Sequence, residues 1–162
     1  MANKLNSIET IVAKMLIEKN LTISVAESLT GGLVSSTLIN YPGISSVFIE
    51  GCVTYSNESK VNRLGVNQET LKVYGAVSEE TAKEMARGIA KNFNTNVAIS
   101  TTGIAGPGGG TSEKPVGLVY IGVYINGKTT VNKYILNGDR KDIRTKATEN
   151  AINDLRLRLL EL

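Results

Sequence analysis

A serine followed at once by hydroxyl and glycine residues is the first place in this chain where chemistry is legible. Glu27-Ser28-Leu29-Thr30-Gly31-Gly32 comes directly after the β-type run Thr22-Ile23-Ser24-Val25-Ala26 and just before residues of helical pattern. N–H groups in the first turn of a helix lack internal partners and carry partial positive charge. Gly31 and Gly32 let another group come close to that backbone. A serine in such a place has donors beside it that can hold an oxyanion. The same residues also suit a plain N-cap, with Ser28 or Thr30 supplying the capping hydroxyl.

A serine nucleophile needs a base, and the chain contains no histidine. That rules out a Ser-His-Asp triad and any histidine-ligated metal site. The single cysteine, Cys52, allows no disulfide within the chain and no cysteine cluster for zinc. It sits in the apolar run Phe48-Ile49-Glu50-Gly51-Cys52-Val53 with no cation beside it, and reads as a buried structural thiol. A lysine can serve as base if burial or a neighbouring cation lowers its pKa from about 10.4 towards neutrality. Tyr55-Ser56-Asn57-Glu58-Ser59-Lys60 follows the apolar strand-like run, and Lys60 is the one lysine close behind the end of that strand. On local sequence alone it is an ordinary surface lysine.

Two further segments have the composition of anion sites. The loop Ser100-Thr101-Thr102-Gly103-Ile104-Ala105-Gly106-Pro107-Gly108-Gly109-Gly110-Thr111 can turn several N–H groups onto an anion, or simply connect two elements. No Gly-Lys-Ser/Thr closes it, so it is not a Walker A loop, and Pro115 with a strand follows where a dinucleotide fold needs a helix. In Asp139-Arg140-Lys141, Asp139 suits a helix cap, but two cations in a first turn face the positive end of the dipole. A bound phosphate or carboxylate removes that mismatch, with Arg140 as a bidentate donor and Arg144 one turn on. The alternative is a pair of solvated surface charges.

The elements that must position these residues follow from periodicity. Leu5, Ile8, Ile11, Val12, Met15 and Leu16 predict a helix over 5–19, and a second is expected over 31–40, stopped by Pro42-Gly43. A strand is expected over 47–55, with short helices over 57–64 and 68–74. Ser78 caps a helix over 79–92. Strands are expected over 97–101, 116–125 and 129–136, the last two joined by an Asn126-Gly127 hairpin turn. Asp139 opens a long final helix with Ile143, Ala147, Ala151, Leu155 and Leu159 on its inner face. Helices and strands alternate early and a hairpin comes late, which predicts an α/β fold, a three-layer α/β/α sandwich with a mixed sheet.

The chain has 162 residues, 41% hydrophobic and 20% charged, which fits a single folded domain over 1–162. A net charge of +3 without a basic stripe argues against a nucleic-acid partner. No stretch approaches a membrane span, and Glu9 and Lys14 interrupt the N-terminal apolar residues, so no signal peptide and a cytoplasmic location are expected.

Six stretches in this order resemble the CinA C-terminal domain family, whose stand-alone members are nicotinamide mononucleotide deamidases. They are Ala26–Gly32, Val53–Lys60, Tyr74–Ser78, Gly103–Pro107 with Gly109 and Gly110, Lys114–Gly117, and Gly138–Arg140. The resemblance runs from about residue 8 to the C-terminus and departs from the usual pattern at Leu29, where many members have cysteine. It implies a Ser-Lys amidase acting on nicotinamide mononucleotide, with Ser28 as nucleophile, Lys60 as base, and Tyr55 lining the pocket or assisting proton transfer. It further implies Thr30, Gly31 and Gly32 around the oxyanion. Thr102, Gly103, Gly106, Gly109 and Gly110 would contact the nucleotide, and Arg140 its phosphate. No metal or organic cofactor is implied, and the expected partners are a nucleotide substrate and further copies of the chain in a homo-oligomer. The rival expectation is a non-catalytic nucleotide-binding or competence-associated module with the same anion-holding loops.

Overall fold

The computed structural model describes residues 7–162; Leu5, which opens the first expected helix, lies outside them. Among the described residues are six α-helices and five strands: α1 (Ile8–Glu18), β1 (Ile23–Glu27), α2 (Leu33–Leu38), β2 (Phe48–Val53), α3 (Asn57–Leu64), α4 (Gln68–Tyr74), α5 (Glu79–Phe93), β3 (Val97–Gly103), β4 (Leu118–Ile125), β5 (Lys128–Ile135) and α6 (Arg140–Leu160). The strands form one mixed sheet in the order β2-β1-β3-β4-β5. β1 runs parallel to both β2 and β3, and β4 and β5 are antiparallel additions. No described helix is long and apolar enough to cross a membrane.

The expected α/β architecture is the observed one, and side-chain alternation explains it. Val25 and Ile99 point to one face, where Val12 and Leu16 of α1, Val34 of α2 and Ile143, Ala147, Ala151 and Leu155 of α6 cover them. Ala26, Cys52 and Ala98 point to the other, under Leu64 of α3 and Met85, Ile89 and Ala90 of α5. Each large apolar side chain taken fully out of water here contributes roughly 1.5–3 kcal/mol. Cys52 is buried, and burial pushes its thiol pKa up, as befits a structural cysteine.

The start of the second helix differs from expectation, and the difference has a backbone cause. The second helix begins at Leu33, not Gly31, because Gly31 and Gly32 take φ values of +59° and +98°, outside the helical region. The hairpin turn is as expected: Asn126 and Gly127 have φ of 45° and 95°, and Ile125 pairs with Lys128.

One glycine decides how closely the helix before the site can sit. Gly88 of α5 lies against the backbone at Leu64, the last residue of α3, and a Cβ there would collide with the Leu64 carbonyl oxygen. Gly88→Ala must therefore push α3 away, and with it Lys60. The expected result is a loss of about 1–3 kcal/mol in urea unfolding, together with reduced activity; unchanged stability would show that α3 yields freely.

Candidate active site

The sheet order places a topological switch point at β1. The chain leaves β1 towards β2 on one side, then returns to β3 on the other. In open α/β sheets, ligands bind outside the carboxyl ends of strands at such a point. Ser28 is the first residue beyond β1, and its N–H donates to the Thr101 carbonyl of β3 at 3.0 Å. On the other side, Thr54 N–H donates to the Glu27 carbonyl at 2.8 Å, so β2 ends level with β1.

That alignment delivers Lys60. The chain leaves β2 at Thr54 and Tyr55 and turns into α3, where the Ser56 hydroxyl accepts the Ser59 N–H. One turn later the Lys60 side chain folds back over the strand end, only 1% exposed. Its Nζ donates to the Thr54 carbonyl at 2.8 Å and the Tyr55 carbonyl at 3.2 Å, and lies 3.2 Å from Ser28 Oγ. Burial lowers its pKa from 10.5 to about 8. The geometry suits either protonation state. A neutral amine can give its two N–H groups to the carbonyls and turn its lone pair to the serine hydroxyl; the ammonium gives Ser28 its third proton.

The remaining wall comes from the glycine-rich loop and α6. A cleft of about 270 Å³ is lined by Ser28, Leu29, Tyr55, Lys60, Thr102, Gly103, Gly106, Gly109 and Arg140, among others. Thr102 is buried and donates its hydroxyl to the Ala76 carbonyl at 2.6 Å. Arg140, at the start of α6, donates to the Gly106 carbonyl at 2.8 Å and to the Tyr55 hydroxyl at 3.1 Å. Tyr55 thus fits the lining role, and its phenol is engaged by Arg140 while its carbonyl holds Lys60. Asp139 caps α6 in a reciprocal capping box with Asp142, as its position implied.

The resemblance puts Thr30, Gly31 and Gly32 around the oxyanion, and in the structure several of their donors already have partners. The Gly32 N–H and the Thr30 hydroxyl both donate to Glu27, and the Gly31 N–H donates to the Ser28 carbonyl. These groups are spent within the turn. The backbone N–H groups of Leu29 and Thr30 have no acceptor among the described residues, so the unspent donors lie one and two residues after Ser28. Gly110 packs against the backbone of Val116, where a Cβ would come within 2.8 Å of the amide nitrogen, so it closes the loop and does not figure among the cleft's wall residues.

A model of the CinA C-terminal domain matches residues 5–159. The chain belongs to the CinA C-terminal domain family. A Clostridioides difficile (strain 630) relative, provisionally named competence-damage inducible protein, is 67% identical over 156 residues, 96% of this chain but 37% of the relative. A Clostridium beijerinckii relative with the same provisional name is 64% identical, covering 96% of this chain and 38% of its own length. The chain thus spans little more than a third of these curated relatives. The crystal structure of competence damage-inducible protein A from Klebsiella pneumoniae superimposes with a TM-score of 0.93 at 34% identity, covering 98% of each chain. That of the competence/damage inducible protein CihA from Agrobacterium tumefaciens gives 0.89 at 38%, covering 98% of this chain and 99% of that one.

Within this CinA-type domain three residues make contacts that a reading of local sequence does not show. Glu27 is fully buried, and its carboxylate accepts from Thr30 Oγ1 (2.6 Å), Gly32 N (3.0 Å), Val34 N (3.0 Å), Ser35 N (2.9 Å) and Ser35 Oγ (2.7 Å). Lys114 Nζ reaches the Tyr74 and Val77 carbonyls at 2.6 and 2.8 Å, tying the glycine-rich loop to the segment before α5. Arg144 donates to the Leu29 and Thr30 carbonyls, both at 2.9 Å. Acidic, basic and glycine residues in those stretches were visible in sequence, but nothing local indicated that their partners are main-chain atoms.

Proposed function

We propose that this domain is a nicotinamide-nucleotide amidase, hydrolysing the carboxamide of nicotinamide mononucleotide to nicotinic acid mononucleotide and ammonia. The observation that carries the reading is the buried Lys60 amine 3.2 Å from Ser28 Oγ, both lining one cleft. The choice of substrate rests on the family resemblance, supported by a cleft with a cation, Arg140, at its rim.

Neutral Lys60 takes the Ser28 proton as Oγ attacks the carboxamide carbon. The oxyanion forms within reach of the unspent Leu29 and Thr30 N–H groups. The lysine ammonium passes its proton to the amide nitrogen, the C–N bond breaks, and ammonia leaves an ester on Ser28. Water then attacks the ester carbonyl, Lys60 takes its proton, and the acid departs as Ser28 is reprotonated. The released carboxylic acid then loses its proton to water. A cytoplasmic site of action and self-association belong to the same reading.

Incubating the protein with nicotinamide mononucleotide and measuring ammonia and the deamidated nucleotide tests this. Turnover supports it; tight binding without ammonia release favours a nucleotide-binding module instead. The pH dependence is a second check. Lys60 must be neutral to act as base, so kcat/KM rises with pH through about 8 and levels off above it. A rate independent of pH between about 6.5 and 9.5 excludes a lysine base of that pKa.

A further inference from the structure

The turn that carries Ser28 is held by two opposite charges that do not meet. Glu27 takes its N–H groups from the sheet side. Arg144, from the first turns of α6, takes its carbonyls with Nε on Leu29 O and Nη2 on Thr30 O. Among the described residues, neither side chain forms an ion pair. Gly31 makes room for this: a Cβ there would sit 3.2 Å from Arg144 Nη2, so the guanidinium lies directly on the turn.

The direction of a peptide carbonyl sets the direction of its N–H. In a planar trans peptide the two point opposite ways. Holding the Leu29 carbonyl therefore aims the Thr30 N–H away from Arg144, and that N–H is one of the two unspent donors beside Ser28. A guanidinium meets two consecutive carbonyls with two N–H groups fixed in one rigid plane, so it sets their direction, whereas an ammonium on a flexible stem can touch both without fixing either.

An adjoining cavity of about 490 Å³ is fronted by Arg140, Lys141 and Arg144, which makes a phosphate ligand the bland assignment for Arg144. Its contacts argue otherwise. Resting on the amidase reading above, we propose that Arg144 is a positioning residue, whose fork on the Leu29 and Thr30 carbonyls aims the Thr30 N–H at the oxyanion, while Arg140 alone of the two faces the reaction cleft.

The test compares wild type, Arg144→Gln and Arg144→Lys by steady-state kinetics with nicotinamide mononucleotide, and by amide hydrogen exchange without substrate. Loss of an oriented oxyanion donor should lower kcat by about 10²-fold while KM stays within about threefold. Arg144→Lys keeps the charge but loses the rigid planar fork, so kcat should remain at least about tenfold down. Exchange over residues 28–33 should quicken by about tenfold in both variants, with the strands unchanged. A raised KM at unchanged kcat would overturn the proposal and make Arg144 a phosphate ligand. Unchanged exchange over 28–33 in both variants would overturn it as well. A wild type that binds the nucleotide without releasing ammonia sinks the amidase reading itself, and the exchange data then still decide whether Arg144 holds the turn.

Discussion

Lys60→Met should abolish the proposed amide hydrolysis and make the protein more stable at neutral pH. Methionine has nearly the same length and no charge, so it fills the site without a base. Without proton transfer turnover falls by at least about 10³-fold, and Ser28→Ala, which removes the attacking atom, gives a comparable loss. Both variants should still bind the nucleotide, because neither removes Arg140 or the glycine-rich loop. The stability gain follows from the depressed pKa. Lys60 falls from 10.5 to about 8 in the folded state, so between those values the unfolded chain binds more protons than the folded one. The penalty for burying the ammonium is complete below pH 8, shrinks as pH rises, and is gone above 10.5. At pH 7 it is roughly 3 kcal/mol. Methionine removes it but leaves the Thr54 and Tyr55 carbonyls without their donor, which costs about 1–2 kcal/mol. A net gain of about 1–2 kcal/mol should raise Tm by roughly 2–6 °C, measured by calorimetry. The difference should narrow between pH 7 and pH 10. A less stable Lys60→Met at every pH would show that the carbonyls solvate the ammonium fully. Retained turnover would remove Lys60 from the mechanism.

Glu27→Gln should cost about 2–4 kcal/mol and take most of the activity with it. All five groups around the carboxylate can donate, and two of them, the Thr30 and Ser35 hydroxyls, can also turn and accept. A glutamine must point its NH2 at one set. The gentler choice faces Ser35, whose hydroxyl can reverse, but the Ser35 N–H cannot, and two N–H groups then oppose each other. The charge that strengthened the other bonds is also lost. Glu27→Asp, one methylene shorter, cannot span both sets and should fail in the same direction. The measurements are urea unfolding and kcat on the same preparations. A Glu27→Gln variant of wild-type stability would sink this account of the turn.

Parts of the site were visible along the chain because they depend on neighbours in sequence. The Ser28 turn lies between a β-type run and a helix, and both are seen; the hairpin at Asn126-Gly127 needs two residues with positive φ, and both are present. Asp139 caps the helix it precedes. The start of α2 was misplaced by two residues because the two glycines were read as a helix opening, when their positive φ values make them the turn before it. Pattern shows where N–H groups cluster, but not that a buried carboxylate has already taken them.

Local order, burial periodicity and the chemistry available were therefore determined by the sequence itself: alternating strands and helices, no histidine base, and a hydroxyl-glycine turn at a strand end. Which lysine faces Ser28, and the burial that lowers its pKa, were decided only in three dimensions. Lys60 is an ordinary polar residue in sequence. It becomes buried because β2 ends level with β1 and α3 folds back over that end, with Gly88 letting α3 sit close. The same holds for Arg144, which reaches the Ser28 turn across 115 residues of chain. Desolvation and hydrogen-bond direction are properties of surroundings, and surroundings exist only once the sheet has brought distant segments together.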